Sequence, residues 1–155
     1  MRAESDIELM RHEWALLKLA YRYASAVDQC DGETIAQCFV EDGLIRSPAG
    51  DLRGREEIRT VIPTKLKEYF VRTDHAVHNQ LVRIDGAAAT GETYCVANHF
   101  IKTAEGTLSR LEWGIRYQDS FVLREGRWYF TVRDHRRLIW SQTTVVDLLP
   151  EDKAS

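Results

Sequence analysis

Three short turn sequences, IDGA at 84–87, AEGT at 104–107 and REGR at 124–127, divide the second half of the chain into extended runs. Glycine in a tight loop supplies the positive φ that a hairpin needs. The intervening runs, at 77–84, 88–103, 107–123 and 127–135, are rich in β-branched and aromatic residues and predict a meander of antiparallel strands. Alternation is cleanest in 107–123. Leu111, Trp113, Ile115, Tyr117, Phe121 and Leu123 share one face, and Arg110, Glu112, Arg116, Gln118 and Arg124 take the other.

The first half has helical periodicity. Ile7, Met10, Trp14, Leu17, Tyr21 and Ala24 recur at steps of three and four, predicting a helix over 6–28 with that stripe on the core. Asp31 reads as the cap of a short second helix through Phe39, and EDG at 41–43 turns the chain into a strand, LIRSP. A third helical run, REEIRTVIPTKLKEYF, holds Pro63, which is expected to kink or divide it. Helices first and a sheet afterwards give an α+β fold. The 155 residues suit one domain over 1–155, with a core at about 6–135 and a C-terminal tail at 136–155. Leu138, Ile139, Trp140, Val145, Val146, Leu148 and Leu149 make that tail too apolar to lie free in solvent. It is expected over a pocket mouth or on a neighbouring subunit.

A net charge of −3 without a basic run argues against a nucleic-acid partner. No apolar run is long enough for a bilayer span, and MRAESDIELMRHEW lacks the apolar core of a signal peptide, so the expected compartment is the cytoplasm. Cys30, Cys38 and Cys95 fit no zinc or redox spacing and read as free thiols.

The helical stripe continues onto Asp28. A carboxylate on a core face is costly, and the negative end of the helix dipole adds to that cost. Either Asp28 has a buried partner, or the helix ends at Val27 and leaves it in a solvated turn. His75, His78 and His99 are the available partners, and spacing does not choose among them. A carboxylate beside an imidazole fixes its tautomer and stabilises its charged form, making the histidine a better base. His12 reads as a helix-surface residue and His135 as part of a charged strand end. Neither HxH nor HExxH occurs, so no metal site is expected.

YxxAVDxxD at 23–31, CFVEDG at 38–43, GREEI at 54–58, HAVHNQLVRIDGAAATG at 75–91 and GIRYQDSFVLREGRWYFTVR at 114–133 together resemble the SnoaL-like branch of the nuclear transport factor 2-like superfamily. Within it the chain is similar to scytalone dehydratase, bile-acid 7α-dehydratase and hexachlorocyclohexane dehydrochlorinase. The resemblance implies a cone-shaped barrel in which a bent antiparallel sheet wraps the first helix and encloses an apolar pocket. It also implies a catalytic dyad of Asp28 and His75, the latter favoured over His78 because Asn79 lies four residues after it. Tyr23, His99, Asn98 and Arg133 are the implied substrate contacts. A lysine stands at the Tyr23 position in the dehydrochlorinase, which makes halide elimination the weaker match. Strand parity sets Arg133 against Trp128, Phe130 and Val132, so only a bulge would bring it to their face.

The implied activity is that of a cofactor-independent lyase, a dehydratase acting on a hydrophobic cyclic molecule such as a steroid or polyketide ring, with no metal. Two alternatives stand beside it. One is an isomerase resembling ketosteroid isomerase, for which Asp119 supplies a second inward acid. The other is a non-catalytic small-molecule-binding or assembly domain. The implied assembly is a homo-oligomer, a trimer ahead of a dimer, joined through the polar outer face of the sheet.

Overall fold

The structure, a computed structural model, describes residues 6–145. Its first helix, α1 (Asp6–Asp28), buries a different face from the expected one. Leu16, Leu19, Ala20, Tyr23, Ala24, Ala26 and Val27 are buried, whereas Ile7, Met10 and Trp14 are 66, 66 and 59% exposed. The helix carries two apolar arcs. The arc with three alanines lets the sheet approach closely, and it takes the core. Met10, Trp14 and Leu17 instead border an open groove.

After α1 come α2 (Gly32–Gln37), β1 (Phe39–Arg46), β2 (Leu52–Arg53) and α3 (Gly54–Tyr69). Asp31 caps α2 as expected, accepting a 3.0 Å bond from the Thr34 amide, but the helix stops short of Phe39, which opens β1. Pro63 sits inside α3 without dividing it. The carbonyl that a proline leaves without a donor is that of the residue four before it, here Arg59. α2 packs against that point so closely that any side chain at Gly32 would strike the Arg59 carbonyl.

The meander follows as β3 (Arg72–Asp85), β4 (Ala88–Lys102), β5 (Leu108–Arg124) and β6 (Arg127–Val145). Glu125 and Gly126, at φ +52° and +75°, form the two-residue turn between the last two strands. The sheet order is β2-β1-β6-β5-β4-β3, with β1 parallel to β6 and every other pair antiparallel. α1 packs against both β3 and β6, which are separated by β4 and β5, so the sheet curls around the helix without closing. Leu16, Ile35, Phe39, Ile58 and Phe130 are fully buried between the helices and the sheet. Each such side chain contributes about 1.5–3 kcal/mol.

β6 corrects the expected boundary at 135. Residues 136–145 are strand paired to β5 rather than a tail, and Leu138, Ile139 and Trp140 are exposed on it. Val146, Leu148 and Leu149 lie outside the described residues. β6 also carries two bulges. Ser120 pairs with Val132 and Phe121 with Phe130, leaving Thr131 unpaired; Gly114 pairs with Ile139 and Ile115 with Arg137, leaving Leu138 unpaired. The first bulge reverses strand parity, so Arg133 joins Trp128 and Phe130 in the interior at 1, 3 and 0% exposure. Among the described residues no helix is long and apolar enough to cross a membrane.

Candidate active site

Asp28 closes α1 on the flank of the buried arc, where β3 passes it. The solvated-turn alternative does not hold, because the helix runs through Asp28. Its Oδ1 lies 2.6 Å from Nδ1 of His75 and accepts a 2.7 Å bond from the Thr73 hydroxyl. Its Oδ2 accepts from the His75 amide at 2.9 Å. Burial works against this carboxylate, but the His75 side chain, the His75 amide and the Thr73 hydroxyl outweigh it and hold its pKa below the usual range. In the neutral tautomer whose Nδ1–H is directed at Asp28, Nε2 of His75 carries the free lone pair. Strand parity explains the choice of histidine. Thr73, His75 and Val77 point inward, and the same alternation places His78, three residues after His75, on the exposed side with Asp74 and Ala76.

Asp28 and His75 border a groove of about 350 Å³ with Tyr21, Ala24, Ser25, Gln29 and Val77. A second cavity, an apolar chamber of about 370 Å³, lies under α3 and the β1–β2 loop. Tyr23, Phe70, His99, Trp113, His135 and Arg137 are among its walls. The single pocket expected around the dyad is therefore two: His75 lines the groove and His99 the chamber, and the two rings meet edge to face, 5.5 Å between centroids. His99 is 2% exposed, stacks at 3.8 Å on Trp113, and its Nδ1 has no hydrogen-bond partner. Burial, then the neighbouring His75, push His99 down to about 3, so it is a neutral imidazole. Burial pushes Tyr23 up to about 12 against the pull of Arg133, which keeps the phenol protonated.

Arg133 and Asp119 form a buried pair deeper in the cone, with Arg133 Nε 3.6 Å from Asp119 Oδ1. The guanidinium lies 3.7 Å from the Tyr117 ring centroid and 4.5 Å from those of Tyr23 and Phe130. Asp119 also accepts a 3.2 Å bond from Thr93. Burial raises Asp119 to about 6, with Arg133 and Thr93 opposing. The inward acid expected on β5 is present, and a cation faces it. Arg133 is not part of the chamber wall, but it touches Tyr23, which is.

Asn98 does not join this group. It has the opposite parity to His99 and donates to Asp74 at 3.2 Å on the outer face. His135, read as a charged strand end, faces the chamber, and burial pushes it down to about 4. Its inward position depends on the Thr131 bulge. Thr73 was also missed, although an inward hydroxyl two residues before an inward histidine is legible once parity is assigned. His12 is tied to the core rather than free on the surface, accepting from Trp128 Nε1 at 3.0 Å. Among the described residues no cluster of three or more His, Cys, Asp or Glu could hold a metal.

A family model for the SnoaL-like domain matches residues 8–134. A protein of unknown function from Mycobacterium tuberculosis is similar at 28% identity and TM-score 0.73, covering 88% of this chain and 78% of that one. A candidate scytalone dehydratase from Novosphingobium aromaticivorans is similar at 20% identity and TM-score 0.76, covering 94% and 97%. The hexachlorocyclohexane dehydrochlorinase LinA type 3 from Novosphingobium barchaimii is similar at 16% identity and TM-score 0.79, covering 94% and 99%. At their identities the last two speak for the fold alone. No curated protein matches. With an inward Asp–His pair at the end of the first helix, a curled sheet around that helix, and a family match across most of its length, the chain belongs to the SnoaL-like domain family.

Proposed function

We propose that the chain is a cofactor-independent lyase, a dehydratase that removes water from a hydrophobic cyclic substrate of steroid or polyketide type. The observation that carries this reading is the 2.6 Å contact between Asp28 and His75, with Thr73 and the His75 backbone amide also bonded to Asp28. His75 Nε2 takes a proton from carbon beside a carbonyl. Asp28 orients the imidazole and stabilises the imidazolium that forms. Tyr23 and His99, both neutral, hydrogen-bond the carbonyl or the departing hydroxyl as charge develops there. Arg133 acts only through Tyr23, beneath whose ring it lies. Fold neighbours described as a dehydrochlorinase and a candidate scytalone dehydratase support elimination chemistry on this scaffold. A homo-oligomer, trimeric ahead of dimeric, belongs to the same reading; Ile139 and Trp140, 68 and 64% exposed, leave apolar surface for it to cover.

A panel of cyclic β-hydroxy ketones tests the activity, with water loss read by mass spectrometry and the new conjugated carbonyl by absorbance. Asp28→Asn and His75→Ala are each expected to cut turnover by orders of magnitude, and the double variant to be little worse, because members of one catalytic unit fail together. Full activity in Asp28→Asn overturns the dyad. A product of unchanged mass points to the isomerase, and binding without turnover to a non-catalytic domain. Light scattering reports the assembly.

A further inference from the structure

Every charged residue on the chamber wall is a cation. Lys65 on α3 and Arg137 on β6 carry the charge, and no aspartate or glutamate lines the cavity. Among the described residues neither cation has a carboxylate partner, whereas the adjacent Arg136 is met by Asp134 at 3.0 Å on the outer side. The Thr131 bulge sends Arg133 and His135 into the interior and turns the exposed Arg137 toward the rim of the chamber. Asp119 answers Arg133, but among the described residues no carboxylate answers Arg137. Its guanidinium lies over Trp113, 3.7 Å from the ring centroid, so it is held in place before any ligand arrives. Deeper in the same cavity, His99 Nδ1 and His135 Nε2 are buried without hydrogen-bond partners.

We propose that the chamber selects a hydrophobic ring bearing a carboxylate, with Arg137 and Lys65 at the mouth receiving the anion and Phe70 and Trp113 flanking the ring. This rests on the chamber being the substrate site of the reading above, and it names the substrate class that site takes. The two neutral histidines offer polar contacts to the ring's oxygens and no net attraction for an anion, so selectivity falls on Arg137 and Lys65. Arg137 loses little rotamer freedom on binding, because Trp113 already fixes its plane.

The test uses 2-naphthoate and 2-naphthamide, which share a ring system and differ in charge, titrated into the full chain by calorimetry. Wild-type protein is expected to bind the acid at least about tenfold more tightly than the amide, the size of one charge-assisted hydrogen bond. Arg137→Gln is expected to erase that preference while leaving the amide within about twofold, and Lys65→Gln to reduce it less. Lys65 is exposed on a helix, so its variant decides the matter if Arg137→Gln fails to fold. Equal binding of acid and amide, an amide preference, no binding of either, or a preference unchanged in every variant that folds overturns the proposal. Asp28→Asn separates the two readings. Turnover in that variant judges the dyad, and its acid-over-amide ratio, expected to stay at the wild-type value, judges the chamber.

Discussion

Thr73 Oγ1 donates to the same Asp28 oxygen that faces His75 Nδ1, at 2.7 Å beside 2.6 Å. One oxygen thus serves two partners while the other is taken by the His75 amide, and the carboxylate has no freedom to rotate away from the imidazole. Thr73→Val keeps the shape and removes one donor. A single hydrogen bond to a charged group is worth about 1.5–3 kcal/mol, so kcat is expected to fall by about tenfold or more with KM little changed. Asp28 is held below its usual range in part by this bond, so the acid limb of the pH–rate profile is expected to move upward in the variant. A raised KM with unchanged kcat would assign Thr73 to substrate binding instead.

Acid is expected to destabilise the fold above the ordinary carboxylate range. His99 and His135 are pushed down to about 3 and about 4, chiefly by burial. As pH falls below about 6.5 the unfolded chain takes up both protons and the folded chain does not, so this stability is complete above that pH and is lost below it. Asp119, raised to about 6 by burial, opposes them. From about 6 downward the folded chain holds its proton while the unfolded chain has released it, until the ordinary carboxylate range is reached. Two protons against one leaves a net uptake of about one on unfolding, or about 1.4 kcal/mol lost per pH unit between about pH 6 and 4. Urea titrations across that window measure the slope, and stability that is flat or rises toward acid contradicts it.

The antiparallel meander, its hairpin turns and the inward face of β5 were legible because alternation and glycine turns are local signals, whereas the parallel pairing of β1 with β6 joins distant segments and was not. The α1 face was misread because the helix has two apolar arcs. Periodicity ranks them by side-chain size, whereas packing chose the arc with Ala20, Ala24 and Ala26. Asp28 was legible as an anomaly, but its partner needed the parity of β3, which a bulge reverses after Val77. Arg133 and His135 depended on one unpaired residue, Thr131, and Asn98, expected among the substrate contacts, takes the face opposite His99. A bulge leaves little trace in a sequence whose flanking residues alternate normally, yet it decides which side chains of every later position face the chamber.

The buried Asp119–Arg133 pair makes a prediction about stability separate from catalysis. Both side chains are essentially inaccessible, at 0 and 1% exposure, and the 3.6 Å contact leaves Asp119 Oδ1 and Arg133 Nε without hydrogen bonds. Removing one partner strands a charge in the core. Asp119→Leu and Arg133→Met are each expected to cost about 3–5 kcal/mol by urea denaturation. The double variant is expected to cost much less than the sum, since no charge then remains unpaired. Arg133→Lys should not rescue the single loss, because an ammonium cannot reproduce the planar stacking on Tyr117, Tyr23 and Phe130. Additive losses would mean that Asp119 and Arg133 are stabilised independently, Asp119 by Thr93 and Arg133 by its three rings.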